Sequence, residues 1–245
     1  MLKIKKVMLV CGGSYGLGLE ISKYYLKKKF KVIVLARDAK KLKNLKKNYI
    51  NYDLETFKCD LSNNKEVEKV CVKLEQKFNI DYIICNAGSG KLEKTRKYLD
   101  YHKTFSNNFL TAINIVENLT YKKKYLQRNI ILISSIAGHF KGRAPLPYSL
   151  AKNSLINYVK YKSNELSKKN VMINSISPGH IFIKGNNWDK KLKKNPKKVI
   201  KMINEDVGLK RFCTPEQIIN IIEFIFSNRN SYVTGADIIV DGGTK

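Results

Sequence analysis

Seven short apolar, β-branched runs recur along the chain, and most are followed by a longer amphipathic stretch. That alternation restricts the fold more than any single motif does. The runs are KVMLV (6–10), KVIVLA (31–36), ETFKCD (55–60), DYIICNA (81–87), NIILISS (129–135), VMINSIS (171–177) and ADIIVD (236–241). Helical patterns fall near 17–29, 38–47, 63–78, 100–122, 148–169 and 214–228. Strands that alternate with helices are joined by right-handed crossovers and form a mostly parallel sheet covered on both faces. The expected class is α/β: one doubly wound, seven-stranded parallel sheet with helices on both faces, forming a single domain over 1–245. The stretch 180–213 breaks the rhythm, with GNNWDKKLKKNPKKVIKMINEDVG between a strand and a helix. It is expected to be a mobile lid over the substrate.

Composition narrows the class further. Hydrophobic residues make up 43% of the chain, enough for a buried core, while no apolar run approaches the roughly 18 residues that a membrane span needs. The opening MLKIKKVMLVCGGS has basic residues ahead of Val7–Val10, but it leads into glycines rather than a small-residue cleavage site. It reads as a first strand, and the chain as cytoplasmic. The five cysteines (11, 59, 71, 85, 213) show no CxxC or metal spacing, and there are only three histidines. Buried reduced thiols and no metal are expected. The formal net charge of +27 favours anionic partners such as a phosphorylated cofactor, a nucleotide sugar or an acidic carrier protein. The lysines are spread over many helices rather than gathered into one motif, so nucleic acid is not the expected partner.

The first strand runs into CGGSYGLG (11–18) and then a helix. Gly12, Gly16 and Gly18 let the backbone turn sharply and approach a pyrophosphate at a helix N-terminus, where free N–H groups and the helix dipole favour anions. The second strand ends at Ala36, with no carboxylate in the place where NAD-binding folds put one for the ribose hydroxyls. Arg37 can pair with a 2′-phosphate instead, and Asp38 has a capping role available at the helix AKKLKNL. NADP(H) is therefore favoured, with NAD(H) the alternative. Asp60 ends the third strand, where it can accept from an adenine amino group or cap the helix after it. Tyr148 and Lys152, in PLPYSLAKNSLINYVKY, are four apart on one helix face, with Pro145 and Pro147 read as lying just ahead of the helix. Alone, that spacing is open to two readings, a surface pair or a piece of chemistry.

CGGSYGLG (11–18), CDL (59–61), CNAG (85–88), Ser135, YSLAK (148–152), SPG (177–179) and the closing run 214–243 together resemble the short-form branch of the short-chain dehydrogenase/reductase superfamily, with its Rossmann-like sheet. The resemblance covers essentially the whole chain and implies an NAD(P)-dependent oxidoreductase interconverting a ketone and a secondary alcohol. It implies that Tyr148 is the general acid/base and that Lys152 binds the nicotinamide ribose and lowers the tyrosine pKa. It gives Ser135 the substrate oxygen and Asn108 a relay water, with Asn107 the register alternative. Cofactor contacts are implied at Gly12, Ser14, Tyr15, Gly16, Leu17, Gly18, Arg37, Asp60, Leu61, Asn86, Ala87, Gly88, Tyr148, Lys152, Pro178, Gly179, Ile181 and Ile183. An ammonium about 4 Å from the phenol is worth ~4 kcal/mol at an effective dielectric of about 20. That is enough to lower its pKa by roughly three units. The chain departs from the pattern at Cys11, where a threonine is frequent, and at Ile183, where a threonine usually touches the carboxamide.

The segment GHIFIKGNNWDKKLKKNP resembles members associated with surface-polysaccharide or sugar metabolism, which points to reduction of a polar or sugar-like small molecule, with an anionic one among the candidates. An enzyme like a 3-oxoacyl carrier-protein reductase is the alternative, although Ser89-Gly90-Lys91 is unlike the usual sequence there. A dinucleotide-sensing or scaffold protein is the non-enzyme reading; it would need the glycine loop but not Tyr148, Lys152, Ser135 and Asn108 together. Lys91, Lys141, Arg143 and Lys184 fall on loops at the strands' C-terminal edges and are candidates for an anionic substrate group, with Trp188 as a lid anchor. His139 and His180 flank the site and read as satisfied polar residues. The resemblance further implies a homodimer or homotetramer built on the helices near 100–122 and 148–169.

Overall fold

The computed structural model describes residues 5–88, 98–121, 128–141, 144–227 and 230–245. Seven strands form one sheet: β1 (Val7–Cys11), β2 (Lys31–Ala36), β3 (Leu54–Lys58), β4 (Tyr82–Cys85), β5 (Arg128–Ile133), β6 (Val171–Pro178) and β7 (Asp237–Val240). Their order is β3-β2-β1-β4-β5-β6-β7, and every pairing is parallel. The chain winds outward from β1 in both directions, so the order reverses between β1 and β4. The crevice at such a reversal, beyond the C-terminal ends of the strands, is where open α/β sheets hold ligands.

Period-two alternation assigns the side chains to the two faces. Leu9, Cys11, Ile33, Leu35, Ile83 and Cys85 point to one face, against helices α3 (Asn64–Lys77), α5 (Thr111–Asn118) and α6 (Leu146–Ser167). Met8, Val10, Val32, Val34, Tyr82 and Ile84 point to the other, against α1 (Gly16–Lys27), α2 (Ala39–Asn48) and α9 (Pro215–Phe226). Both faces are buried, which explains the near-continuous apolar runs. Four of the thiols (Cys11, Cys59, Cys71, Cys85) are buried and all five are free. Burial pushes Cys71 up to about 12 and Cys59 up to about 11.

Two expectations are corrected, and a third stretch is given its local structure. Helix α6 starts at Leu146 and contains Pro147 in its first turn; only Pro145, its N-cap, stands ahead. A proline there is compatible with a helix because the first N–H groups have no partner within it. The helix expected near 100–122 is α4 (Tyr98–Phe105), a π-helical turn (Ser106–Leu110) and α5 in succession. The stretch 180–213 holds two helices, α7 (Asn187–Lys194) and α8 (Pro196–Asp206), separated at Asn195–Pro196. Asn186 caps α7 and Asn195 caps α8, each through its side-chain oxygen. Among the described residues no helix is long and apolar enough to cross a membrane.

Ile83 is fully buried at the middle of the sheet. Ile83→Ala is expected to cost about 2–5 kcal/mol. Urea unfolding checks this, as a lower midpoint at an unchanged slope.

Candidate active site

The glycine turn is built by close backbone packing. A Cβ on Gly12, whose φ is +79°, would lie 2.7 Å from the Ala87 Cα, and one on Gly18 would lie 2.3 Å from the Gly12 carbonyl oxygen. Asn86 Nδ2 donates to that same oxygen at 3.4 Å. Gly16 is different: a Cβ there would meet nothing within 4 Å, so its side of the loop is open. No side chain caps the N-terminus of α1, and its first turn carries no acid. The loop is thus closed against β4 and open where an anion would approach exposed N–H groups, which fits a dinucleotide pyrophosphate.

At the end of β2, Ala36 is buried and Arg37 exposed. Asp38 caps α2, its carboxylate accepting from Lys41 N at 3.0 Å, so this acid is already engaged. Lys41 Nζ lies 4.3 Å from the Tyr15 ring centroid. Asp60 does not cap α3; Asn63 does. Asp60 instead accepts from the Ser62 hydroxyl and N–H, and those bonds, with Arg37 nearby, hold its carboxyl below the usual range against the opposing effect of burial. Leu61 is buried, and its carbonyl accepts from Asn114.

The second half of the site lies along β4, β5 and α6. Ala87 is tied to α5 by Thr111, whose hydroxyl donates to its carbonyl at 3.1 Å. A Cβ on Gly88 would lie 3.0 Å from Asn108 Oδ1 and 3.8 Å from Lys152 Nζ, so those three residues converge. Asn108 is buried in the π-helical turn, whereas Asn107 is only half-buried and turns its amide to the Lys103 carbonyl. The extra residue of that turn re-aims the asparagine, and turns of this kind recur at functional sites. Lys152 Nζ sits 5.9 Å from the Tyr148 ring centroid and donates to the Ile133 carbonyl at 2.8 Å. The Ser135 side chain lies beside the Tyr148 phenol and acts to lower its pKa. Tyr148, Lys152, Ser135 and Asn108 therefore form one group contiguous with the glycine turn through Asn86, Ala87 and Gly88.

The family model described as Enoyl-(Acyl carrier protein) reductase matches residues 12–245. The chain belongs to the short-chain dehydrogenase/reductase family. One curated relative, the 3-oxoacyl-[acyl-carrier-protein] reductase FabG of Rickettsia typhi, is 32% identical over 247 residues, covering 97% of this chain and 96% of that protein. A solved 4-hydroxyisoleucine dehydrogenase complexed with NADH superposes with a TM-score of 0.88 at 25% identity, covering 98% of each chain. The L-sorbose reductase of Gluconobacter frateurii, complexed with NADPH and L-sorbose, shares the fold with a TM-score of 0.87 at 24% identity, covering 98% of this chain and 96% of that one. As a member of the family, the chain is an NAD(P)-dependent oxidoreductase acting on CH–OH groups.

The electrostatics of this dehydrogenase/reductase depart from expectation at one point. Burial raises the Tyr148 phenol, and the Ser135 side chain opposes it only in part. Burial also depresses Lys152 to about 8. The expected lowering of the tyrosine by the lysine is not met, because the ammonium is turned to the Ile133 carbonyl and is itself half-titrated near pH 8.

The remaining predicted residues are more dispersed. Pro178 is buried at the end of β6, and Gly179 lies so close to Asp241 that a Cβ would be 2.9 Å from its Cα. Ile181 bridges to Cys213, and Ile183 packs partly against the core. Its carbonyl accepts from Asn186 N, so that backbone group is already engaged. Lys141 is paired with Asp241 at 3.3 Å and is not a free cation; Lys184 is exposed. Trp188 packs at a tilt between His180 (5.0 Å) and Phe212 (5.6 Å), with Lys191 over its ring, and so braces its own segment. Ser14 is half-buried and Leu17 buried in the first turn region of α1. Lys91 and Arg143 lie outside the described residues. Sequence reasoning missed the link from Tyr15 Oη to the Gly185 carbonyl, 2.9 Å, because its partners stand 170 positions apart.

The Lys152 shift has a measurable consequence. Its folded value of about 8 lies below the unfolded value of about 10.4, so the unfolded chain holds more protons between them and stability rises with pH across that window. Relative to Lys152→Met, the native chain is expected to gain about 1.4 kcal/mol per pH unit there. Urea unfolding of both proteins at about pH 8 and pH 9.5 checks the slope. A constant difference would refute the buried, depressed amine.

Proposed function

We propose that this enzyme uses NADPH to reduce a ketone to a secondary alcohol at the group formed by Ser135, Tyr148, Lys152 and Asn108. The observation that carries this reading is their convergence with Gly88 at the open edge of the glycine turn. When bound, the nicotinamide would supply hydride to the carbonyl carbon. The chain's own residues handle the oxygen and the proton. Ser135 would hold the substrate oxygen beside the phenol, and Tyr148 would give that oxygen its proton. A half-buried phenol with a raised pKa keeps its proton at neutral pH, which suits a general acid in the reducing direction. Lys152 would hold ribose hydroxyls, and Asn108 would steady a water through which the phenol is re-protonated. The exposed Arg37, with Asp38 committed to its cap, supports NADPH over NADH.

For the substrate, a 3-oxoacyl thioester is the reading we favour. It is the reaction named for the Rickettsia typhi relative. It is also supported by a groove of about 780 Å³ between α7 and α8, with Trp188, Val199 and Met202 among its lining and Lys191, Lys194 and Lys198 along it, while Lys201 is paired with Glu205. Apolar length with cations alongside suits an acyl chain on an anionic arm better than a small sugar. A polar keto-sugar is the second reading, supported by the exposed Lys184 in the same segment.

A panel of 3-oxoacyl thioesters and keto-sugars, run with NADPH and with NADH, tests both levels. NADPH with an oxoacyl thioester should give the highest kcat/KM. Tyr148→Phe should reduce kcat by a factor on the order of 10²–10⁴ while NADPH still binds, as read by fluorescence titration. Arg37→Ala should raise KM for NADPH and leave that for NADH unchanged. Full turnover by Tyr148→Phe would sink the mechanism.

A further inference from the structure

The turn that follows Ser135 is tied to the last strand and the residue after it by a hydrogen-bonded pair and an ion pair. His139 Nε2 stands 2.7 Å from Asp237 Oδ2, and Lys141 Nζ stands 3.3 Å from Asp241 Oδ2. The Asp237 side chain is only 6% exposed, and it also accepts from the Ser175 and Ser177 hydroxyls of β6. Both oxygens of a nearly buried carboxylate are thus occupied by donors, which makes its burial tolerable. Well-packed apolar residues are often at least as stabilising in such a place, so a buried ionic cluster invites a reason beyond stability.

The reason is in what the turn touches on its other side. It runs from Ser135, whose Oγ accepts from Ala137 N, through the 3-10 turn Ile136–His139 to Phe140 at φ +57°. Gly138 packs on α6 at the lysine: a Cβ there would lie 2.9 Å from the Lys152 carbonyl carbon and 3.0 Å from Asn153 N. Asn153 Nδ2 donates to the Gly138 carbonyl at 2.9 Å. The turn is therefore held between the β7 carboxylates and the backbone of Lys152. If it slackened on the β7 side, Ser135 would lose its register with the Tyr148 phenol.

We propose that His139 and Asp237 are positioning residues for ketone reduction: their pair, anchored by Ser175 and Ser177, holds the 136–139 turn so that the Ser135 hydroxyl meets the Tyr148 phenol. The proposal rests on the roles given above to Ser135 and Tyr148. Neither His139 nor Asp237 touches the reacting atoms. Both act through the turn.

The test measures kcat, KM, NADPH affinity and Tm for His139→Ala, His139→Gln and Asp237→Asn, with Tyr148→Phe beside them. His139→Ala and Asp237→Asn are expected to lower kcat about ten- to a hundredfold, the scale of an ångström-level misplacement, with NADPH affinity within about twofold of the native enzyme. His139→Gln, which keeps a side-chain donor, should recover most of the loss, and added imidazole should partly rescue His139→Ala. A brace needed only for folding would lower Tm and NADPH binding together and would not respond to imidazole; that pattern overturns the proposal, as does an unchanged kcat in His139→Ala. If Tyr148→Phe turns over normally, the underlying reading fails, and this inference with it. If Tyr148→Phe is inactive and His139→Ala is not, only the inference fails.

Discussion

At Gly12 the backbone leaving β1 runs against the backbone of Ala87 leaving β4, with no room for a side chain between them. Two other contacts depend on that approach. It lets Gly18 sit over the Gly12 carbonyl, which starts α1 with its N-terminus at the sheet's edge, and it brings Asn86 into reach of the same oxygen. It also fixes where Gly88 emerges, beside Asn108 and Lys152. The anion-binding end of the site and its proton-handling end are thus positioned from one backbone contact between neighbouring parallel strands. A side chain at Gly12 would have to part β1 from β4 or give up the turn, and a φ of +79° adds its own penalty for any residue with a Cβ.

The end that holds Lys152 and Asn108 is buried, and that acts on the charge of its groups. Lys152 has a carbonyl for a partner and no carboxylate, so burial acts on it almost unopposed and depresses it to about 8. Tyr148 is raised for the same reason. The two groups are pushed toward each other, phenol up and amine down, so both are held nearer their neutral forms than in water. The Asp237 carboxylate makes the contrast: it is also removed from solvent, but three hydroxyl or imidazole donors compensate it. Lys152 is thus left with few partners, while Asp237 across the turn has both carboxylate oxygens occupied by donors.

Much of the fold was legible because both faces of a parallel sheet are buried. Each strand announces itself as an apolar run, and the observed strands agree with the runs to within a few residues at each end. The glycine turn was legible because its glycines are demanded by backbone contacts next to each other in sequence. What the sequence could not convey is long-range. The i, i+4 spacing of Tyr148 and Lys152 puts them on one face, but it cannot say that the ammonium turns to Ile133, 19 positions away. Asp237 looked like any strand-opening acid; its role appears only when residue 139 meets it across 98 positions. The π-helical turn at Asn108 has no local signature, since it is a slip in hydrogen-bond register imposed by packing against α6. In 180–213 the apolar residues are too sparse to mark two helices, although the asparagine caps and Pro196 that delimit them are plain once the boundaries are known.

One side chain couples the two halves that the family's chemistry requires. Tyr15 carries Lys41 over its ring on the side of the β2 end, and its hydroxyl holds the Gly185 carbonyl at the start of the α7–α8 segment. Gly185 in turn donates its N–H to Asp189, which is buried at the start of α7. Continuing along the same segment, Trp188 rests on His180, next to Gly179 at the end of β6. The α7–α8 segment is therefore fastened at one end to the glycine turn and at the other to the region that follows β6. The net charge of +27 places this fastened segment, with its run of lysines on α7 and α8, in a positive field that favours anions near the crevice.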